Sequence, residues 1–180
     1  QMDMEFETRD DVKISEYLEM IRLKTAVLLA SSLKTGSIIG GASDEDAHRM
    51  YEIGENLGIA FQLQDDYLDA FGNPDTFGKQ VGGDILENKK TFLYLKSLEQ
   101  GTKEDQESLL HLYSIQPEEG STKVETVKTI FEESGAVEAT QSAIEAYTQK
   151  AFEVLDGLQL PDSKKNLLRV FGENLMRRTV

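Results

Sequence analysis

A chain of 180 residues can close one domain around a sizeable core, and its 19 basic against 33 acidic side chains, a net charge of −14, argue against nucleic acid or an anionic membrane as main partner. The lack of cysteine excludes disulfides and thiolate metal sites. No apolar run approaches the ~20 residues that span a bilayer and no signal-peptide pattern opens the chain, so a cytoplasmic protein without stable membrane insertion is expected.

The chain opens Gln1-Met2-Asp3-Met4 with no helix start, and reads as the interior of something longer. A first helix is predicted from about Ser15 to Ile39, with Glu16 and Glu19 in its early turns, stopping at Gly40-Gly41. Ser43 is placed to cap a second, with Asp46 three residues on as its capping-box partner. That helix should continue to Phe71, where Gly72-Asn73-Pro74 ends it. Residues 72–88 hold four glycines, the composition of a flexible, backbone-exposing loop. Further helices are predicted at about 89–100, 102–115, 121–134, 136–156 and 162–178, bounded by Gly101, Gly135 and Gly157 and opened by Thr102 and Asp162. Connections are short and there is no linker or repeat, so the chain reads as one all-α domain over residues 1–180. In the late helices Leu109, Leu110, Leu112, Val127, Ile130, Phe131, Ile144, Leu155, Leu167, Val170 and Phe171 read as core or interface stripes. His48 and His111 are expected at the surface.

The chemistry concentrates in Phe61-Gln62-Leu63-Gln64-Asp65-Asp66-Tyr67-Leu68-Asp69. Positions i, i+3, i+4 and i+7 share a helical face, so Gln62, Asp65, Asp66 and Asp69 line up together. Their neighbours are apolar, and no basic residue occurs between Glu55 and Lys79. Two carboxylates ~5–6 Å apart repel by roughly 3 kcal/mol at an effective dielectric near 20. A solvated acidic face would carry Lys or Arg partners; three acids without them call for cations. Mg²⁺ fits, since it takes one or two carboxylates and completes its shell with water and phosphate oxygens. Ca²⁺ fits less well, because the acids lie within a helix and lack the alternate-residue spacing of a calcium loop.

Beyond this helix comes Gly78-Lys79, then Gly82-Gly83-Asp84 and Asn88-Lys89-Lys90-Thr91. Glycines let amides approach an anion, and lysines add the charge that metals alone would not. By itself such a loop is more often a plain connection, but its place after three aspartates points to a diphosphate. In the first helix Lys24-Thr25 is flanked by long apolar runs, so Lys24 either snorkels or meets an anion.

This ordered set resembles the second aspartate-rich region of the trans-isoprenyl diphosphate synthases, with Lys24-Thr25 resembling that family's Lys-Thr pair and Gln1-x-Asp3 the segment before it. The resemblance implies an antiparallel helical bundle of the isoprenoid synthase type. It also implies an Mg²⁺-dependent prenyltransferase that condenses an allylic diphosphate with isopentenyl diphosphate to a short-chain product, farnesyl or geranylgeranyl, and works as a homodimer. Carried over, Asp65, Asp66 and Asp69 would ligate Mg²⁺ and Lys24, Lys79 and Lys89 would bind the diphosphate. Thr25 and Gln62 would set oxygen dipoles near a developing cation. The family's first aspartate-rich motif does not occur in these 180 residues, so the chain is expected to be the C-terminal part of a longer synthase, inactive alone.

Two other readings compete. A class I terpene cyclase shares the ionisation chemistry but carries a longer Asn/Ser/Glu-type second metal motif. A non-catalytic helical subunit of a heteromeric synthase, or any plain acidic bundle, has no physical need for clustered like charges.

Overall fold

The computed structural model describes Phe6, Arg9 and residues 11–73, 81–117 and 119–177, and every regular element among them is helical. In chain order these are α1 (Ile14–Ile21), a π-helical turn (Arg22–Ala26), α2 (Val27–Ile39), α3 (Asp44–Phe71), α4 (Gly83–Leu86), α5 (Phe92–Gln100), α6 (Lys103–Leu112), α7 (Ser121–Glu133), α8 (Ala136–Asp156) and α9 (Asp162–Met176).

The all-α reading holds, and the caps explain most boundaries. Ser43 Oγ accepts the Asp46 amide at 3.1 Å and meets its carboxylate at 2.9 Å, opening α3 as the sequence suggests. Thr102 and Asp105 close a full capping box ahead of α6. The first helix, expected unbroken from about Ser15 to Ile39, is interrupted by the π-helical turn, and two expectations for the segment after α3 are also corrected. The helix predicted from residue 89 begins only at Phe92, because Asn88 takes φ 57° and Lys89 folds its amide back onto the Asp84 carbonyl at 2.9 Å. The loop predicted over 72–88 contains the single turn α4, started by Gly82 at φ 84°, a conformation that glycine adopts without a Cβ penalty. Residues 74–80, Lys79 among them, lie outside the described residues.

The helices pack into two compact units, one from the described residues of Gln1–Tyr17 and Asp65–Ser142, the other from those of Leu18–Gln64 and Ala143–Arg178. The first buries Tyr17, Phe92, Leu93, Tyr94, Leu109, Val127, Ile130 and Phe131. Tyr94 stacks on Tyr113 with centroids 4.2 Å apart. Within it Ser97 and Ser134 share a 2.9 Å hydrogen bond, so a polar contact inside the α5–α7 packing is satisfied.

The second unit is built on Ile53, Leu57, Ala151, Leu155 and Leu158, with Leu29, Leu33, Phe152 and Leu168 packed around them. Burying each such aliphatic side chain contributes about 1.5–3 kcal/mol. Gly54 and Gly58 of α3 let its backbone approach Ala30 and Ala26 so closely that an added Cβ would sit 2.6 and 2.5 Å from their Cα atoms. Of the late stripes, Leu109, Val127, Ile130, Phe131, Ile144 and Leu155 are buried, whereas Leu110, Leu167, Val170 and Phe171 are exposed. His48 is at the surface, 3.4 Å from Glu52, and His111 is exposed as expected.

Candidate functional site

Gln62, Asp65, Asp66 and Asp69 recur at i, i+3, i+4 and i+7 along α3, which is unbroken from Asp44 to Phe71. Asp66 is buried, 9 % exposed, while Gln62, Asp65 and Asp69 are half-buried. The apolar flank that makes this burial is Leu63, Leu68 and Ala70, all in the core. A carboxylate taken out of water needs hydrogen bonds to offset its desolvation. Asp66 receives one from the Tyr17 hydroxyl, at 2.5 Å from its Oδ2.

Asp69 is tied to the segment that follows α3. Its Oδ2 accepts the Asp84 amide at 2.9 Å, and its main-chain carbonyl accepts the Gly82 amide at 2.6 Å. A Cβ on Gly83 would stand 3.3 Å from Asp69 Oδ1. This segment therefore brings one main-chain N–H, that of Asp84, up to the Asp69 carboxylate and a second, that of Gly82, up to its main-chain carbonyl. The same acid–amide contact fixes one oxygen of Asp69 and leaves Oδ1 beside Gly83.

Lys89 bonds to Asp84 Oδ1 at 2.8 Å and Glu87 Oε2 at 2.7 Å. Partial burial works against its charge, but these two carboxylates outweigh that and hold its pKa above the ordinary lysine value. Two of its three ammonium hydrogens are thereby used.

In the other unit, Lys24 and Thr25 lie on the π-helical turn, where one residue more per turn resets the side-chain register between α1 and α2. Arg22 anchors this turn through Glu19 at 2.7 Å and Glu55 of α3 at 2.9 Å. Thr25 Oγ1 donates to Gln62 Oε1 at 3.0 Å. Its hydroxyl hydrogen is thus committed to Gln62. Lys24 is exposed.

The donor chemistry suits Mg²⁺, a hard cation bound by oxygen. Among the described residues no three acidic or imidazole side chains converge into a ready-made cage. Mg²⁺ is rarely held that way; it uses one or two carboxylates and the substrate's own phosphates. Sequence reasoning missed three features: Tyr17, the π-helical turn, and the left-handed Asn88. The first two depend on long-range packing. For Asn88 a signal existed, since asparagine is enriched several-fold among non-glycine residues with positive φ.

Similarity to known proteins covers nearly the whole chain. A short chain isoprenyl diphosphate synthase from Methanothermobacter thermautotrophicus is 37% identical over 169 residues, 94% of this chain and 51% of that protein. The crystal structure of a geranylgeranyl pyrophosphate synthase superposes with a TM-score of 0.93 at 50% identity, covering 99% of this chain and 55% of that one. A geranylgeranyl pyrophosphate synthase from Corynebacterium glutamicum, crystallised with isoprenyl diphosphate and magnesium, superposes with a TM-score of 0.88 at 26% identity, over 98% of this chain and 50% of that one. The chain spans about half the length of the curated relatives it matches. The profile of the polyprenyl synthetase family matches residues 1–133, so the chain belongs to that family.

Proposed function

We propose that this chain is part of a prenyltransferase that lengthens an allylic diphosphate with isopentenyl diphosphate to a short-chain trans-prenyl diphosphate, and that α3 carries its diphosphate-binding metal ligands. The observation that carries this reading is the face of α3 on which Asp66 is buried, Asp65 half-buried and Asp69 bonded to the Asp84 amide. Family membership and relatives named as short chain isoprenyl and geranylgeranyl diphosphate synthases support it.

In this reading Asp65, Asp66 and Asp69 hold Mg²⁺, which when bound neutralises the diphosphate as it departs. The Tyr17 bond keeps Asp66 from rotating, and the Asp84 amide does the same for Asp69. Lys24, Lys79 and Lys89 add charge toward the diphosphate, Lys89 with its remaining ammonium hydrogen. The oxygens of Thr25 and Gln62 set negative dipoles for an allylic carbon that becomes positive as its C–O bond breaks. The isopentenyl double bond then attacks that carbon, and loss of a proton completes the product. We further propose that the 180 residues form part of a single all-α domain, and that the whole protein acts as a homodimer in the cytoplasm. No described helix is long and apolar enough to cross a membrane.

The test is calorimetric titration of the chain with inorganic pyrophosphate, with and without Mg²⁺. Asp65→Ala should abolish the Mg²⁺-dependent binding while leaving the thermal midpoint near wild type. Binding retained by that variant, or no Mg²⁺-dependent binding by the wild type, would reject the proposed site and favour a scaffold.

A further inference from the structure

The start of α7 grips the 82–89 segment at three points. Val124 fills the space beside Gly82, where a Cβ would stand 2.6 Å from its methyl. Leu86 of α4 fills the space beside Gly120, where a Cβ would stand 2.3 Å away. Between these, Lys123 donates through Nζ to Asn88 Oδ1 and to the Ile115 carbonyl, the latter at 3.0 Å. The same ammonium lies 5.5 Å from the centroid of the Tyr113 ring.

Lys123 is 3 % exposed, so its charge sits in the interior against two neutral oxygens and an aromatic face. Among the described residues no carboxylate pairs with it; burying an ammonium is then unfavourable, and burial pushes its pKa below the ordinary lysine value. An apolar residue would fill this position at lower cost. What lysine adds is a strong donor aimed at Asn88.

Asn88 has φ 57°, the only non-glycine residue with positive φ among the described residues. That conformation is uncommon outside glycine, and here the Asn88 side chain accepts a hydrogen bond from Lys123. It turns the chain so that the Lys89 amide reaches the Asp84 carbonyl and the Lys89 ammonium reaches the Asp84 carboxylate. Asp84 in turn donates its amide to Asp69. A continuous series of bonds therefore runs from Lys123 through Asn88, Lys89 and Asp84 to one of the three aspartates.

We infer that Lys123 is a positioning residue, which by holding Asn88 in its left-handed conformation sets where Lys89 stands and so how tightly the segment holds a diphosphate. This rests on the proposed function above. Lys123 itself touches no ligand.

The experiment is titration of the chain with Mg²⁺ and inorganic pyrophosphate, in wild type, Lys123→Met, Asn88→Gly, Lys89→Ala and the doubles. Lys123→Met keeps the apolar stem and removes the donor; Asn88→Gly keeps the backbone conformation and removes the acceptor. Each should raise Kd about tenfold, the scale of losing a supporting bond behind a ligand. In the Lys89→Ala background Lys123→Met should have no further effect, a non-additivity that a purely structural lysine would not produce. An unchanged Kd in Lys123→Met, or full additivity with Lys89→Ala, overturns the inference while the proposed function stands. Absence of Mg²⁺-pyrophosphate binding by the wild type overturns the proposed function, and this inference with it. Should Lys123→Met fail to fold, Asn88→Gly against Lys89→Ala makes the same comparison and decides it the same way.

Discussion

The Tyr17 hydroxyl donates to Asp66 Oδ2 at 2.5 Å, joining a side chain 1 % exposed to the most enclosed of the three aspartates. A hydrogen bond to a charged acceptor contributes about 1.5–3 kcal/mol, and its removal leaves a buried carboxylate short of a donor. Tyr17→Phe should therefore lower the thermal midpoint by several degrees, at roughly 2–4 °C per kcal/mol for a chain of this size. Asp66→Asn added to Tyr17→Phe should cost less than the two single changes summed. Additive losses in calorimetric melts would show that Tyr17 contributes by packing alone.

Two glycines of the second unit should respond in opposite directions to the same substitution. Gly58→Ala places a methyl 2.5 Å from the Ala26 Cα, and backbone cannot yield as a side-chain tip would. The helices must part, at about 1–3 kcal/mol or more, next to the turn that carries Thr25. Gly36→Ala in α2 meets nothing within 4 Å. It should stabilise by about 0.5–1 kcal/mol, because alanine loses less backbone entropy in a helix. Urea unfolding midpoints check both; a destabilised Gly36→Ala would mean that α2 is not the regular helix described.

Alkaline pH should report the cost of burying Lys123. Burial lowers its folded-state pKa from 10.5, so below that folded value the ammonium is charged in both states and folding carries the full penalty. Between the folded value and 10.5 the unfolded chain holds more protons, and stability rises with pH. Tyr113 works the other way: burial raises its pKa, so as pH climbs past the ordinary phenol value of 10.0 the unfolded chain ionises first and stability falls. Comparing wild type with Lys123→Met removes the Tyr113 contribution common to both. The wild type should gain stability relative to the variant as pH rises toward 10.5. A difference that stays flat in chemical denaturation across that range would contradict a buried charged ammonium.

Much of this was legible without coordinates because it is local. The i, i+3, i+4, i+7 spacing places Gln62 and the three aspartates on one face of any helix, and α3 is that helix. The Ser43 and Thr102 caps follow from side chains that reach their own backbone three residues on. Where local rules failed, a contact distant in sequence had decided the outcome. The segment before α5 looked helical by composition, yet Asn88, bonded to Lys123 thirty-five positions away, turns it at positive φ. The long first helix was predicted without interruption, yet its π-helical turn presents Thr25 to Gln62 and Arg22 to Glu55.

The sequence by itself determined the helical class and the acidic face of α3, since residue type and period are enough for each. Only the tertiary structure decided which carboxylate is enclosed, that Tyr17 donates to it, and that Lys89 is shared with Asp84 and Glu87. Burial and hydrogen-bond pairing depend on residues brought together from separate parts of the chain, and no periodicity encodes them. Lys123 shows the difference most clearly: it is the third residue of α7, and packing puts it in the core.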